Sequence, residues 1–75
     1  MTKLTSLKPR EVVKVLEKIR FTFIRQKGSH RIYVKGKIGI TIPWHNKDLK
    51  IGTLRHIIKQ SGLTKEEFFE TLRDI

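Results

Sequence analysis

Residues 30–43 read HRIYVKGKIGITIP, and this stretch decides the fold. Apolar and polar side chains alternate on both sides of Gly36, which is the pattern of the two strands of a β-hairpin. Lys35-Gly36-Lys37 supplies a tight turn, and Pro43 ends the second strand because proline cannot donate to a sheet ladder. Residues 30–34 and 38–42 are therefore predicted to pair as antiparallel strands.

Further elements flank this hairpin. Residues 21–26 are aromatic and β-branched and predict a preceding strand, joined to the hairpin by a tight turn at Lys27-Gly28-Ser29. Apolar residues with helical spacing predict helices over residues 9–19 and 52–61, the second ended by Gly62. A third helix begins at Thr64, where Glu67 completes a capping box.

The element order is α-β-β-β-α with an extra helix, which predicts an α+β fold. A three-stranded antiparallel sheet carries the helices on one face and leaves the other face open to water. Strand alternation puts His30 on the same side as Ile32 and Val34, but it lies at the start of its strand, so we expect it at the rim of the sheet and accessible to solvent. Tyr33 lies on the other side, where it could reach a partner. The predicted core is Val12, Leu16, Ile38, Ile40, Ile42, Leu54 and Ile58.

Charge is the strongest bulk signal. The 75 residues, interpreted as a single domain over 1–75, carry 17 Lys and Arg against 7 Asp and Glu, for a net charge of +10. Residues 1–60 hold 15 basic and 3 acidic side chains, and residues 61–75 hold 2 and 4. A basic body attracts nucleic acid, an acidic protein or an anionic membrane, although a solvated lysine-rich surface is the simpler alternative.

Several classes of function are disfavoured by the sequence. Residues 1–10 lack the apolar core of a signal peptide, and no apolar run approaches the roughly 20 residues of a spanning helix. We therefore expect a cytoplasmic protein with no membrane partner. The few carboxylates of the basic body are scattered, and the three histidines lack metal-ligand spacing and a cysteine companion, so neither a metal nor a cofactor is expected.

Metal-independent RNA cleavage requires fewer catalytic groups from the protein than metal-dependent cleavage, because the substrate supplies the 2′-OH as nucleophile. A histidine can move the proton near neutral pH, while cations and backbone amides stabilise the phosphorane. One turn contains all of these groups, and a solvated basic turn with an ordinary surface histidine is the alternative interpretation. The candidate residues are Arg25, Lys27, Gly28, Ser29, His30 and Arg31.

Two motifs in order resemble the HicA (YcfA-like) mRNA interferase toxins over residues 8–69. The first is Gly28-Ser29-His30 preceded by Arg-Gln-Lys, and the second is Pro43-Trp44-His45 followed by Leu-Lys-Ile-Gly-Thr-Leu at 49–54. The resemblance implies a fold like the double-stranded-RNA-binding domain and RNA cleavage with His30 as catalytic residue. It also implies inhibition by a HicB-type antitoxin that covers the site and itself binds operator DNA, so that this chain meets DNA only indirectly.

Two positions depart from the family pattern: Arg20 stands where glycine is common, and Ile51 where proline is common. His45 is expected either to contact RNA or to cap a turn, and Trp44 either to stack on a base or to anchor its loop. Tyr33 is a candidate contact for RNA or the antitoxin, and His56 is expected to face solvent. Alternative functions are a non-catalytic reader of duplex RNA with the same fold and a purely protein-binding role for the basic face.

Overall fold

The computed structural model describes residues 6–75 and contains three helices and three strands in the predicted order. No predicted boundary is displaced by more than one residue. The predictions that start at residue 1, namely the domain boundary and the absence of a signal peptide, include five residues that lie outside the described part. The elements are α1 (Pro9–Lys18), β1 (Thr22–Lys27), β2 (His30–Lys35), β3 (Ile38–Pro43), α2 (Ile51–Ser61) and α3 (Lys65–Arg73).

Two-residue turns connect the three antiparallel strands, which lie in the order β1-β2-β3. Each turn begins with a glycine of positive φ, +58° at Gly28 and +59° at Gly36. A glycine of this kind at the first central position is typical of a type II′ turn, whose twist matches that of a hairpin. These turns fix the strand register and hence the face on which every side chain lies.

The register corrects the predicted assignment of the sheet faces. Tyr33 pairs directly with Ile40, and cross-strand partners share a face. Tyr33 is consequently buried with Ile40 and Ile42 beneath the helices at 1% exposure, so the prediction that it reaches RNA or a partner is wrong. Ile38, predicted in the core, lies at the start of β3 and is 44% exposed.

A β-bulge interrupts the pairing of β1 with β2. The register shifts between Phe23 and Arg25, which leaves Ile24 unpaired. After the bulge, Arg25 lies opposite Ile32 and Lys27 lies opposite His30. Because Arg25 and Lys27 lie between the bulge and the turn, the two-residue turn sets their register and puts both on the face that carries His30. The bulge shifts the residues before it, so that Phe23 lies opposite Tyr33.

The helices cover the other face of the sheet and complete the core. Both α1 and α2 pack against β3, and α3 packs against α1. The predicted capping box at Thr64 is confirmed: its hydroxyl accepts from the Glu67 amide, and the Glu67 carboxylate accepts from the Thr64 amide. It starts α3 so that Phe68 is completely buried. The core is formed by Leu7, Val12, Val13, Val15, Leu16, Phe21, Tyr33, Ile40, Ile42, Leu49, Leu54, Ile57, Ile58 and Phe68.

The two ends of α1 follow different capping rules. Lys8 is a poor N-cap residue, but the Glu11 carboxylate accepts from its backbone amide at 2.9 Å. At the other end, the amides of Arg20 and Phe21 donate to the carbonyls of Glu17 and Leu16, which is a Schellman motif. Arg20 holds its left-handed position at φ 80°, where glycine would be unstrained.

Within residues 6–75, no helix combines the length and the apolar character needed to cross a lipid bilayer.

Candidate functional site

His30 lies in the last row of side chains at one end of the sheet. Its cross-strand partners are Lys27 on β1 and Pro43 on β3, all three on the open face. Directly opposed residues have Cβ atoms about 4.5–5.5 Å apart, so the lysine and the imidazole are near neighbours. The His30 side chain is exposed. From the sequence, His30 was expected to be exposed only because it lies at the start of its strand. The register shows instead that the whole face carrying His30 is the one that the helices do not cover.

The next row of the open face extends the site with a second cation. Arg25 lies opposite Ile32, and Ile32 lies opposite Thr41. The side chains of Arg25 and Lys27 are exposed, and Ile32 is half-buried. Two cations of β1 thus share the open face with the histidine, Lys27 directly opposite it and Arg25 in the next row, so positive charge extends along β1.

The turn beside His30 leaves room for a ligand. A Cβ atom built on Gly28 would find nothing within 4 Å. The glycine is therefore required for its positive φ and not for lack of space, and the backbone of the turn is open to a close approach. Ser29 is also exposed, and its carbonyl accepts from the amide of Trp44 at 2.6 Å.

Arg31 differs from the other candidates because it lies on the opposite face from His30. Its guanidinium carbon is 3.7 Å from the centroid of the Trp44 ring and 5.4 Å from that of Phe23. Its Nε donates to Oε1 of Gln26 at 3.0 Å. Although adjacent in sequence to His30, Arg31 is thus engaged in contacts beneath the turn and is not brought beside the imidazole.

Trp44 is half-buried and packs against the core cluster, as expected for a residue that anchors its loop. The guanidinium of Arg31 lies over its indole, which restricts the surface that remains for stacking on a base. Of the two roles considered from the sequence, the structure favours the anchor.

His45 lies in the loop that follows Trp44. Its Nδ1 accepts from the amide of Lys47 at 3.1 Å, so it caps a turn, and its side chain is exposed. We call Lys27, His30 and Pro43 the His30 row. His45 lines a groove of about 380 Å³ that begins at Pro43. His56, on α2, is exposed as predicted. The groove is lined by Pro43, His45, Lys47, Asp48, Leu49, Lys50 and Thr53.

Some site residues could not be identified from the sequence. Gln26 appeared only as part of a motif, yet its side chain joins Arg31 to the carbonyl of Gly28. Lys47 and Lys50 reach the groove because the loop folds back there, which strand periodicity does not report. Among residues 6–75, no group of three or more His, Asp or Glu side chains is placed to hold a metal ion.

The sequence matches a protein family. A family model described as the HicA toxin of bacterial toxin–antitoxin systems matches residues 9–63. The chain belongs to the HicA toxin family. No curated protein matches it. HicA membership places the chain among toxins that are paired with an antitoxin, and the matched region contains the His30 row, both turns and the groove.

The HicA match ends before α3. Residues 65–73 are nevertheless part of the folded unit, because Phe68 is buried in the same core as α1 and the sheet. The folded unit of this chain therefore includes a third helix that contributes to packing and is not part of the His30 row.

Proposed function

We propose that this HicA family member is an mRNA interferase, a metal-independent endoribonuclease in which His30 transfers a proton. The observation that carries the proposal is the row formed by Lys27, His30 and Pro43 on the open face. It presents an exposed imidazole beside a cation, next to a turn whose backbone a phosphate can approach. These are the groups that cleavage through the ribose 2′-OH requires.

The proposed reaction forms one bond and breaks one. The 2′-oxygen attacks phosphorus and gives up its proton, while the bond from phosphorus to the 5′-oxygen breaks. The products are a 2′,3′-cyclic phosphate and a 5′-hydroxyl end, so no oxidant or metal is needed. His30 serves as base or acid, and Lys27, His45 or a water molecule provides the second proton transfer.

The surrounding residues support binding of the substrate in this proposal. Lys27 and the backbone of Gly28 stabilise charge on the phosphorane, and the hydroxyl of Ser29 donates to a phosphate oxygen. Arg25 binds the phosphate of a neighbouring nucleotide along β1, and His45 contacts RNA from the groove. Phosphate contacts of this kind give affinity that falls as salt rises.

The test is an RNA digestion in EDTA with purified wild-type protein, the His30→Ala variant and the His56→Ala variant. His56 is the matched control because it is an exposed histidine on α2, which does not belong to the open face of the sheet. We expect wild type and His56→Ala to cleave RNA and His30→Ala to be folded but inactive. Equal cleavage by His30→Ala would remove the assignment, and salt-sensitive binding of duplex RNA without cleavage would favour the non-catalytic alternative.

A toxin–antitoxin family implies an antitoxin partner, and we propose that this partner is of the HicB type and covers the His30 row. The net charge of +10 favours fast capture by an acidic protein surface. In this proposal the antitoxin binds operator DNA and the toxin meets DNA only through it, within the cytoplasm. Expression of the toxin alone should arrest growth, and co-expression of the antitoxin should relieve the arrest.

A further inference from the structure

We propose that Arg31 is a positioning residue, which holds the turn that carries His30 and does not itself bind RNA. The contact that motivates the proposal is the stack of its guanidinium on Trp44, 3.7 Å from the ring centroid. The inference rests on the proposed function, because the turn matters only if the His30 row cleaves RNA. It assigns to Arg31 a role different from that of the cations on the open face.

Both carbonyl groups inside the turn accept a hydrogen bond, one from a side chain on the face opposite His30 and one from the backbone that continues β3. The carbonyl of Gly28 accepts from the Gln26 side-chain amide at 3.0 Å, and the carbonyl of Ser29 accepts from the Trp44 backbone amide at 2.6 Å. A two-residue turn has only these two central carbonyls. Fixing both leaves the chain little freedom to rotate between Lys27 and His30.

Arg31 connects the two residues that hold the turn. Its Nε donates to Gln26 Oε1 at 3.0 Å while its guanidinium plane lies against the Trp44 ring. We call the set Gln26, Arg31 and Trp44 the turn clamp. A planar guanidinium can stack and donate at the same time, whereas a lysine ammonium is a compact charge without this geometry. The clamp therefore requires arginine and not merely a positive charge.

The location of the clamp explains how it can serve catalysis without touching substrate. Successive residues of a strand point to opposite faces, so Arg31 acts beneath the sheet and His30 acts above it. Displacement of a catalytic group by about 1 Å is enough to lower a rate roughly a hundredfold. Loss of the clamp should thus lower kcat while leaving the RNA-binding surface, and therefore KM, unchanged.

The test uses Arg31→Lys, which keeps the charge but removes the stack and the Nε donor, and Gln26→Ala, which cuts the clamp while leaving Arg31 intact. Arg55→Lys, on the exposed face of α2, is the matched control. We expect both clamp variants to lower kcat about tenfold or more with KM within twofold of wild type. In Arg31→Lys, the emission of Trp44, the sole tryptophan, should also shift.

The salt dependence of binding separates this role from a phosphate contact. Using His30→Ala as the background that binds without cleaving, Arg31→Lys and Arg31→Ala should retain the slope of log K against log salt. A slope reduced by about 0.7 in Arg31→Ala, together with a raised KM in either variant, would show that Arg31 binds phosphate and would overturn the proposal. The proposal would also be overturned if wild type cleaves RNA and Arg31→Lys changes neither kcat nor the tryptophan emission. Absence of cleavage by wild type would instead reject the proposed function.

Discussion

Lys27 and His30 face each other across the first and last positions of a two-residue turn, on the one surface of the sheet that no helix covers. The pairing joins a fixed positive charge to a group that can transfer protons. A change at Lys27 leaves the imidazole itself in the chain. The contribution of Lys27 to the proposed reaction can therefore be measured apart from that of His30.

Replacing Lys27 by glutamine should lower kcat/KM about tenfold to a hundredfold, because a cation beside the phosphorane is lost. The salt slope of RNA binding should fall by about 0.7 if the ammonium also neutralises one phosphate of a single strand. Lys37→Gln removes the same charge from the turn at the opposite end of β2 and should leave cleavage unchanged. Equal losses in both variants would mean that only the overall charge of the protein matters.

The two turn glycines allow stability to be separated from activity. Gly28→Ala and Gly36→Ala each place a side chain at a φ near +60° with nothing within 4 Å of the new Cβ. Each should therefore destabilise the fold by a similar amount, roughly 1 kcal/mol, measured by urea unfolding. Only Gly28→Ala should reduce RNA cleavage, since the turn beside His30 changes shape. Similar activity in the two variants would argue against a role for that turn.

Arg20→Gly should stabilise the protein by about 1 kcal/mol, because the Schellman motif at the end of α1 places residue 20 at φ 80°. Thermal or denaturant unfolding measures the gain. Arg20→Ala removes the same charge without relieving the backbone strain and should give much less than the glycine variant. A gain as large in the alanine variant would assign the effect to charge repulsion in this basic protein.

Phe68→Ala should cost about 3–5 kcal/mol, because a completely buried aromatic ring of α3 is lost from the core. Phe69→Ala is the neighbouring control, half-buried at the edge of the same cluster, and should cost less. Equilibrium unfolding with fluorescence or circular dichroism gives both values. If Phe68→Ala were nearly neutral, α3 would not belong to the cooperative unit.

The order and bounds of the elements were predictable because local signals are strong here: helical spacing, turn glycines and the capping box at Thr64. The faces of the sheet were assigned wrongly although the information was present. A two-residue turn at Gly36-Lys37 pairs Lys35 with Ile38 and hence Tyr33 with Ile40, which sends Tyr33 into the core. Alternation alone, applied to each strand separately, does not relate the face of one strand to that of the next.

The sequence predicted which residues form the candidate site, but not how their side chains are arranged around His30. The Gly28-Ser29-His30 motif identified the turn, and the register adds that Lys27 and Arg25 share a face with His30. The separation of Arg31 from that face follows from strand alternation, whereas its stack on Trp44 depends on the loop after β3. The bulge at Ile24 has no turn or proline signal in the sequence, yet it decides that Phe23 lies opposite Tyr33.

The strain at Arg20 and the turn at Gly28 lie at opposite ends of β1, about 20 Å apart for a strand of six residues. Because of this distance, Arg20→Gly should raise the free energy of unfolding without changing the activity of the site. Combined with His30→Ala, which we expect to be inactive, such a protein would provide a stable reagent for capturing the antitoxin.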